Sequence, residues 1–91
     1  MQLTRVERAR DAASREAWAD VVALLSEADD AALTPADFDT LADAAWWLCR
    51  IEESIAARRK AHAGYLAAGA VRDAGGAAWM LYYEHQLTGR P

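Results

Sequence analysis

A short string of residues recurs in this chain at a fixed distance. Residues 44–48, Ala-Ala-Trp-Trp-Leu, match residues 77–81, Ala-Ala-Trp-Met-Leu, at an offset of 33 positions. The same offset pairs Trp18 with Ile51 and Ala28 with Ala61, so each pair is apolar at both positions. Three matches in one register predict an internal repeat. A period of this length is typical of helix-turn-helix units that stack on one another.

The composition favours helices along the whole chain. Alanine, the strongest helix former, supplies 23 of the 91 residues, whereas valine, isoleucine and threonine, which favour strands, together supply ten. The sequence therefore predicts an all-α fold.

Apolar periodicity and capping patterns divide the chain into about five helices. Thr4 with Glu7, and Thr34 followed by Pro35, are typical helix starts. Gly75 and Gly76 each cost about 1 kcal/mol relative to alanine, so the fifth helix is expected to have loose first turns or to begin late. The predicted helices span residues 4–14, 16–29, 35–49, 52–68 and 71–87. We expect them to pair as antiparallel helix-turn-helix hairpins that stack as one short solenoid domain.

The residues at equivalent positions of the repeats resemble those of a known family. Small residues, Ser14 and Cys49, lie at the predicted turns inside the first two hairpins, and the apolar pairs at 18/51 and 28/61 lie in the second helix of each unit. In these positions the sequence resembles tetratricopeptide repeats. The resemblance implies a superhelix with a concave groove that binds proteins or peptides. The chain departs from that family because it has no glycine in these turns, carries Arg58 where a large apolar residue is usual, and has only the first helix of a third unit.

A second resemblance concerns short strings of residues in the predicted helices and the overall composition. The strings at residues 44–48 and 65–69 and the bias toward alanine and arginine are similar to the helical-repeat regions of large bacterial transcription regulators of the LuxR type. That resemblance implies a bacterial protein in transcription regulation, with DNA bound by a separate domain. It also leads us to expect that the chain is a fragment of a larger protein.

The aromatic residues are the best candidates for a functional site. Adjacent residues on a helix project about 100° apart, so Trp46 and Trp47 cannot enter the same contact. Large aromatic side chains are frequent anchors of interfaces, and methionine adapts to varied partners. The residues that the tetratricopeptide resemblance places on the concave face are Asp43, Trp46, Trp47, Trp79 and Met80.

These residues support three hypotheses about function. The first is a protein–protein interaction or regulatory module that accepts a peptide, a helix or another domain in an aromatic-lined groove. The second is a homodimer formed through the open fifth helix, which no second helix covers. The third is a domain that senses a small-molecule effector in an apolar pocket formed by the tryptophans.

Other functional classes find little support in the sequence. A net charge of −4 and a pI near 5.0 disfavour direct nucleic-acid binding, which relies on a surplus of Lys and Arg. The basic triplet from Arg58 to Lys60 is interpreted as a solvated rim. His62 and His85 lack the spacing of metal ligands, and no catalytic or phosphate-binding motif is present. We therefore predict no metal, no cofactor and no enzymatic activity.

The remaining expectations concern location and the single thiol. Cys49 is the only cysteine, and we expect it to be buried in the packing. No segment has the apolar length of a membrane span or the pattern of a signal peptide. A cytoplasmic protein without membrane contacts is predicted.

Overall fold

The computed structural model describes residues 3–87, which contain five α-helices and one turn of 3-10 helix. No β-strand occurs in that range, so the predicted all-α class is confirmed. The helices are α1 (Arg5–Ser14), α2 (Trp18–Ser26), α3 (Pro35–Trp47), α4 (Ile51–Ala67) and α5 (Val71–Leu87), and the 3-10 turn (Asp30–Ala32) lies between α2 and α3.

The largest difference from the predicted boundaries lies after α2. This helix ends at Ser26 instead of residue 29, because Asp29 caps the separate 3-10 turn and accepts a hydrogen bond from the backbone N–H of Ala31 at 3.3 Å. A short acidic side chain that bonds to the local backbone competes with continuation of a helix. By contrast, α5 is helical from Val71 through both of its glycines, so a late start for that helix was the wrong expectation.

Threonine residues begin α1 and α3. Thr4 accepts a hydrogen bond from the backbone N–H of Glu7, and Thr34 forms a complete capping box with Asp37. Arg10 on α1 also donates two hydrogen bonds to the Asp37 carboxylate, each 3.0 Å long. Burial alone would raise the pKa of Asp37, but the hydrogen bonds from Arg10 and Thr34 outweigh it and lower that pKa below its ordinary value. The cap of α3 therefore also holds α1 in place.

The turns between paired helices share one backbone geometry. The chain passes through a left-handed residue at Glu16 (φ 56°), Cys49 (φ 60°) and Gly69 (φ 73°). In all three turns the next amide donates to the carbonyl five residues earlier, at 2.8–2.9 Å, as in a Schellman motif. Glu16 and Cys49 are 33 residues apart, so the residue equivalent to Cys49 is Glu16 and not Ser14. Cys49 is exposed in this turn, which corrects the expectation of a buried thiol.

An apolar core fills the space between α1, α2 and α3. Trp18 and Leu41 are half-buried against it, and Val21 has no exposed surface. The packing between α3 and α4 is close at Gly64, where a Cβ atom would lie 2.7 Å from Cγ of Pro35. The buried core residues are Ala9, Ala12, Val21, Val22, Leu25, Leu33, Phe38, Ala44, Ala45 and Ala61.

The most extensive contacts join helices that are consecutive in the sequence, above all α3 with α4 and α4 with α5. The described chain measures 46 × 30 × 20 Å. None of its helices has the length and apolar character needed to cross a membrane.

Candidate functional site

The side chain of Arg58 lies buried between α3, α4 and α5. Its guanidinium group contacts Asp39 Oδ1 at 2.8 Å, Asp43 Oδ1 at 2.7 Å and Glu84 Oε1 at 3.3 Å. Only 3% of Arg58 is exposed. The interpretation of this arginine as part of a solvated rim was therefore wrong, because three carboxylates satisfy its charge inside the protein.

Two hydroxyl groups extend this cluster. Ser54 donates a hydrogen bond to Glu84, and the Tyr65 hydroxyl donates to Asp39 Oδ2 at 2.8 Å. Burial and the bond to Asp39 raise the pKa of Tyr65. Burial alone would lower the pKa of Arg58, but hydrogen bonds to Asp43 and Asp39 raise it overall. We call these residues the Arg58 cluster: Asp39, Asp43, Ser54, Arg58, Tyr65 and Glu84.

A sequence signal for the cluster existed. Asp39 and Asp43 are four residues apart and therefore share one face of α3. Arg58 lies three residues after Ile55 and three before Ala61, which places it on the apolar face of α4. An arginine in that register, with carboxylates spaced by four on the preceding helix, indicates a buried ion pair.

A groove of about 330 Å³ opens above the Arg58 cluster, between α3 and α5. Two of the predicted site residues, Asp43 and Met80, line it. Arg72 and Asp73 contribute charges of both signs to its edge. We call it the α3–α5 groove.

The predicted tryptophans do not line this groove together. Trp46 is half-buried and lies against Tyr83, with ring centroids 6.1 Å apart. Trp47 and Trp79 are both 65% exposed, and Trp79 stacks on Tyr82 with centroids 6.0 Å apart. The structure thus brings Asp43 and Met80 together and places Trp79 on another side of α5.

That other side of α5 is an uncharged strip. Six positions with helical spacing lie within an arc of about 100°, and every one of them is exposed. The equivalent position one repeat earlier differs in exposure: Ala45 on α3 is fully buried, whereas Ala78 on α5 is exposed. Within residues 3–87, no layer equivalent to the one that covers α3 lies on α5. We call this strip the α5 face; its residues are Val71, Gly75, Ala78, Trp79, Tyr82 and Gln86.

A second, apolar groove bears on the small-molecule hypothesis. It encloses about 230 Å³ beside Phe38, with Leu33 and Leu41 in its walls and the ion pair of Lys60 with Asp30, 2.8 Å long, at its edge. Small-molecule pockets usually measure roughly 300–1,000 Å³. Neither this groove nor the α3–α5 groove is lined by a tryptophan.

No protein-family model, curated protein or solved structure matches this chain. Within residues 3–87, no group of three or more His, Cys, Asp or Glu side chains is arranged to hold a metal ion.

Proposed function

We propose that this chain is a protein–protein interaction module and that the α5 face is its contact surface. The observation that carries the proposal is the exposure of two neighbouring aromatic side chains, Trp79 at 65% and Tyr82 at 60%, on a helix face without a charged residue. Clustered exposed apolar residues of this kind mark interaction sites, and Trp and Tyr are the commonest energetic anchors within them.

The spacing of the α5 face favours a helix as the bound element. Its residues recur every three or four positions, which is the pattern by which one helix packs along another. The helices of this protein already pack in this way, because each one contacts the next helix in the sequence.

The α3–α5 groove has a secondary role in this proposal. The carboxylate of Asp43 already binds Arg58, so it has less capacity for a new partner than an unpaired acid would have. Met80 is half-buried and Trp47 is exposed at the end of α3. Asp43 and Met80 line the groove, on another side of α5 from Trp79, and Trp47 lies on α3, so none of the three is proposed as an anchor.

A setting within a larger transcription regulator, and hence a cytoplasmic bacterial origin, remains a prediction from the resemblance in sequence. The α5 face fits such a setting, because a following helix or domain could cover it. The experiment below would identify such a partner by mass.

Site-specific photo-crosslinking in the producing cells tests the proposal. A photoreactive phenylalanine analogue replaces Tyr82 on the α5 face, and as a control it replaces Asp11, an exposed residue on α1. We expect a discrete protein adduct from position 82 and none from position 11, with the partner identified by mass spectrometry. Equal labelling at both positions, or no adduct at position 82, would contradict an interaction surface on α5.

A further inference from the structure

The α5 face is graded in side-chain size along its length. Its first half carries Gly75 and Ala78, which leave the helix backbone accessible, and no atom lies within 4 Å of a Cβ built at Gly75. Its second half carries Trp79 and Tyr82. A partner that fits this face therefore needs large residues opposite the first half and small residues opposite the second.

A second α5 in antiparallel orientation has that complementary order. A two-fold axis between positions 78 and 79 places Gly75 opposite Tyr82 of the other copy along the centre of the strip, and brings Ala78 beside Ala78 on one edge and Trp79 beside Trp79 on the other. Small residues allow two helices to approach closely, and the aromatic rings then fill the space beside them. A C2 interface requires such self-complementarity, because the same patch is presented by both copies.

The surface at the other end of the protein's series of helices, on α1 and α2, is not complementary to the α5 face. The surface formed by α1 and α2 exposes charged side chains around a hollow of about 390 Å³, and Arg15 there forms an ion pair with Asp11 at 3.0 Å. Head-to-tail stacking would bury these charges against an uncharged strip, which is unfavourable. The polar surface of α1 and α2 resembles the capping surface of a repeat protein, whereas α5 pairing with α5 buries uncharged surface on both sides.

The aromatic residues supply a large part of the area that a dimer needs. At 65% and 60% exposure, Trp79 and Tyr82 each offer roughly 150 Å², so two copies offer roughly 600 Å² from these residues alone. A specific interface buries about 1,000 Å² or more in total. Val71, Ala78 and Gln86 add to the buried area, so the association is expected at the weak end of specific dimers.

We propose that the α5 face binds a second copy of this chain, in an antiparallel α5–α5 pair with a two-fold axis between residues 78 and 79. This inference rests on the proposed function and names its partner. It assigns Trp79 and Tyr82 as the anchors of a homodimer.

The first test is the solution mass of the full chain across a concentration series, measured by analytical ultracentrifugation. The mass is expected to rise from 9.9 kDa toward twice that value. Trp79→Glu should weaken the association at least ~10-fold. Trp47→Glu is the matched control, because Trp47 is equally exposed and lies outside the α5 face, and it should leave the association unchanged. A wild-type chain that stays monomeric up to about 1 mM would overturn the proposal, as would equal effects of both substitutions.

Disulfide trapping tests the geometry without relying on a disruptive variant. In a Cys49→Gly background, Ala78→Cys lies beside the axis and should link to its own copy under mild oxidation. Val71→Cys alone should not, but a mixture of Val71→Cys with Gln86→Cys should form the mixed dimer. Strong self-linking of Val71→Cys would overturn the antiparallel arrangement. A monomeric chain that still gives an adduct with a different protein from position 82 would overturn the homodimer and leave the interaction module intact.

Discussion

Between α1, α2 and α3 the buried side chains are alanine, valine, leucine and phenylalanine, and one carboxylate, that of Asp37, is buried with them. Between α4 and the helices on either side of it, α3 and α5, several charged and polar side chains are buried beside apolar ones such as Ile55. Arg58 and Glu84 are 3% and 0% exposed, and Ser54 beside them is also fully buried. Both regions therefore bury apolar side chains, but a network of buried charges is found in the second region.

Apolar burial and buried charge contribute differently to the stability of the fold and to the positions of its helices. Apolar burial contributes roughly 25 cal/mol per Å² whatever the details of orientation. A buried ion pair offsets most of its attraction against the loss of hydration, so it adds little net stability, yet its hydrogen bonds hold only in one geometry. We infer that apolar burial in both regions supplies the folding free energy, whereas the Arg58 cluster sets the position of α5 on α4.

The largest loss of stability is expected when one charged partner of the Arg58 cluster is replaced. Arg58→Met keeps the side-chain volume but leaves the Glu84 carboxylate buried without its guanidinium, which should cost about 3–5 kcal/mol. Amide hydrogen exchange should then show α5 opening while α2 and α3 keep their protection. Denaturant titration of the same variant would give the free energy of unfolding.

A double variant sharpens this test. Arg58→Met combined with Glu84→Leu removes both buried charges, and the half-exposed Asp39 can be solvated instead. The double variant should therefore recover most of the lost stability. A double variant less stable than Arg58→Met alone would show that the cluster is a net stabiliser and would contradict the comparison.

The next effect lies in the apolar region. Leu25 is 2% exposed in the core, so Leu25→Ala should cost about 2–4 kcal/mol through lost burial and the cavity that remains. Unlike Arg58→Met, it should lower the protection of all five helices together, as measured by hydrogen exchange. Leu66→Ala provides the control, because Leu66 is 54% exposed and its loss should change stability by less than about 0.5 kcal/mol.

The sequence predicts these regions unequally, for physical reasons. Helical periodicity and the threonine caps, Thr4 and Thr34, predict the helices because they depend on local interactions. The recurrence of the turn geometry at Glu16 was not predicted, because Glu16 in a left-handed conformation has no local signal of the kind that Gly69 gives. Arg58 was misjudged because burial of a charge depends on carboxylates from two other helices. The separation of Trp79 from the groove depends on which side of α5 packs against α4, which is a tertiary property.

A smaller loss of stability is expected at the cap of α3, which also joins α1 to α3. Asp37→Asn should cost about 1–2 kcal/mol at neutral pH, because it weakens the capping box and removes the ion pair with Arg10. The pKa of Asp37 is lowered in the folded state, so its contribution is present above its unfolded value near 3.9 and is lost as the pH falls through the lower folded value. Thermal unfolding of wild type and variant between about pH 7 and pH 2 should therefore converge at the acidic end. Arg10→Gln, which leaves the capping box intact, should give an intermediate loss; a difference that persists below pH ~2 would contradict the assignment.

The smallest changes in stability are expected at two glycines on neighbouring helices, Gly64 on α4 and Gly76 on α5. Alanine is a better helix former than glycine by about 1 kcal/mol, so Gly76→Ala should stabilise α5 by about 0.5–1 kcal/mol, since no atom lies within 4 Å of the new Cβ. At Gly64 the same change places a methyl group 2.7 Å from the rigid ring of Pro35, and the resulting strain should reverse the sign to a loss of about 1 kcal/mol. Chemical denaturation of both variants measures the difference directly. If Gly64→Ala were stabilising, α3 and α4 could move apart at no cost. The close approach at Pro35 would then contribute nothing to the position of α4, and the Arg58 cluster alone would determine where α4 and α5 lie.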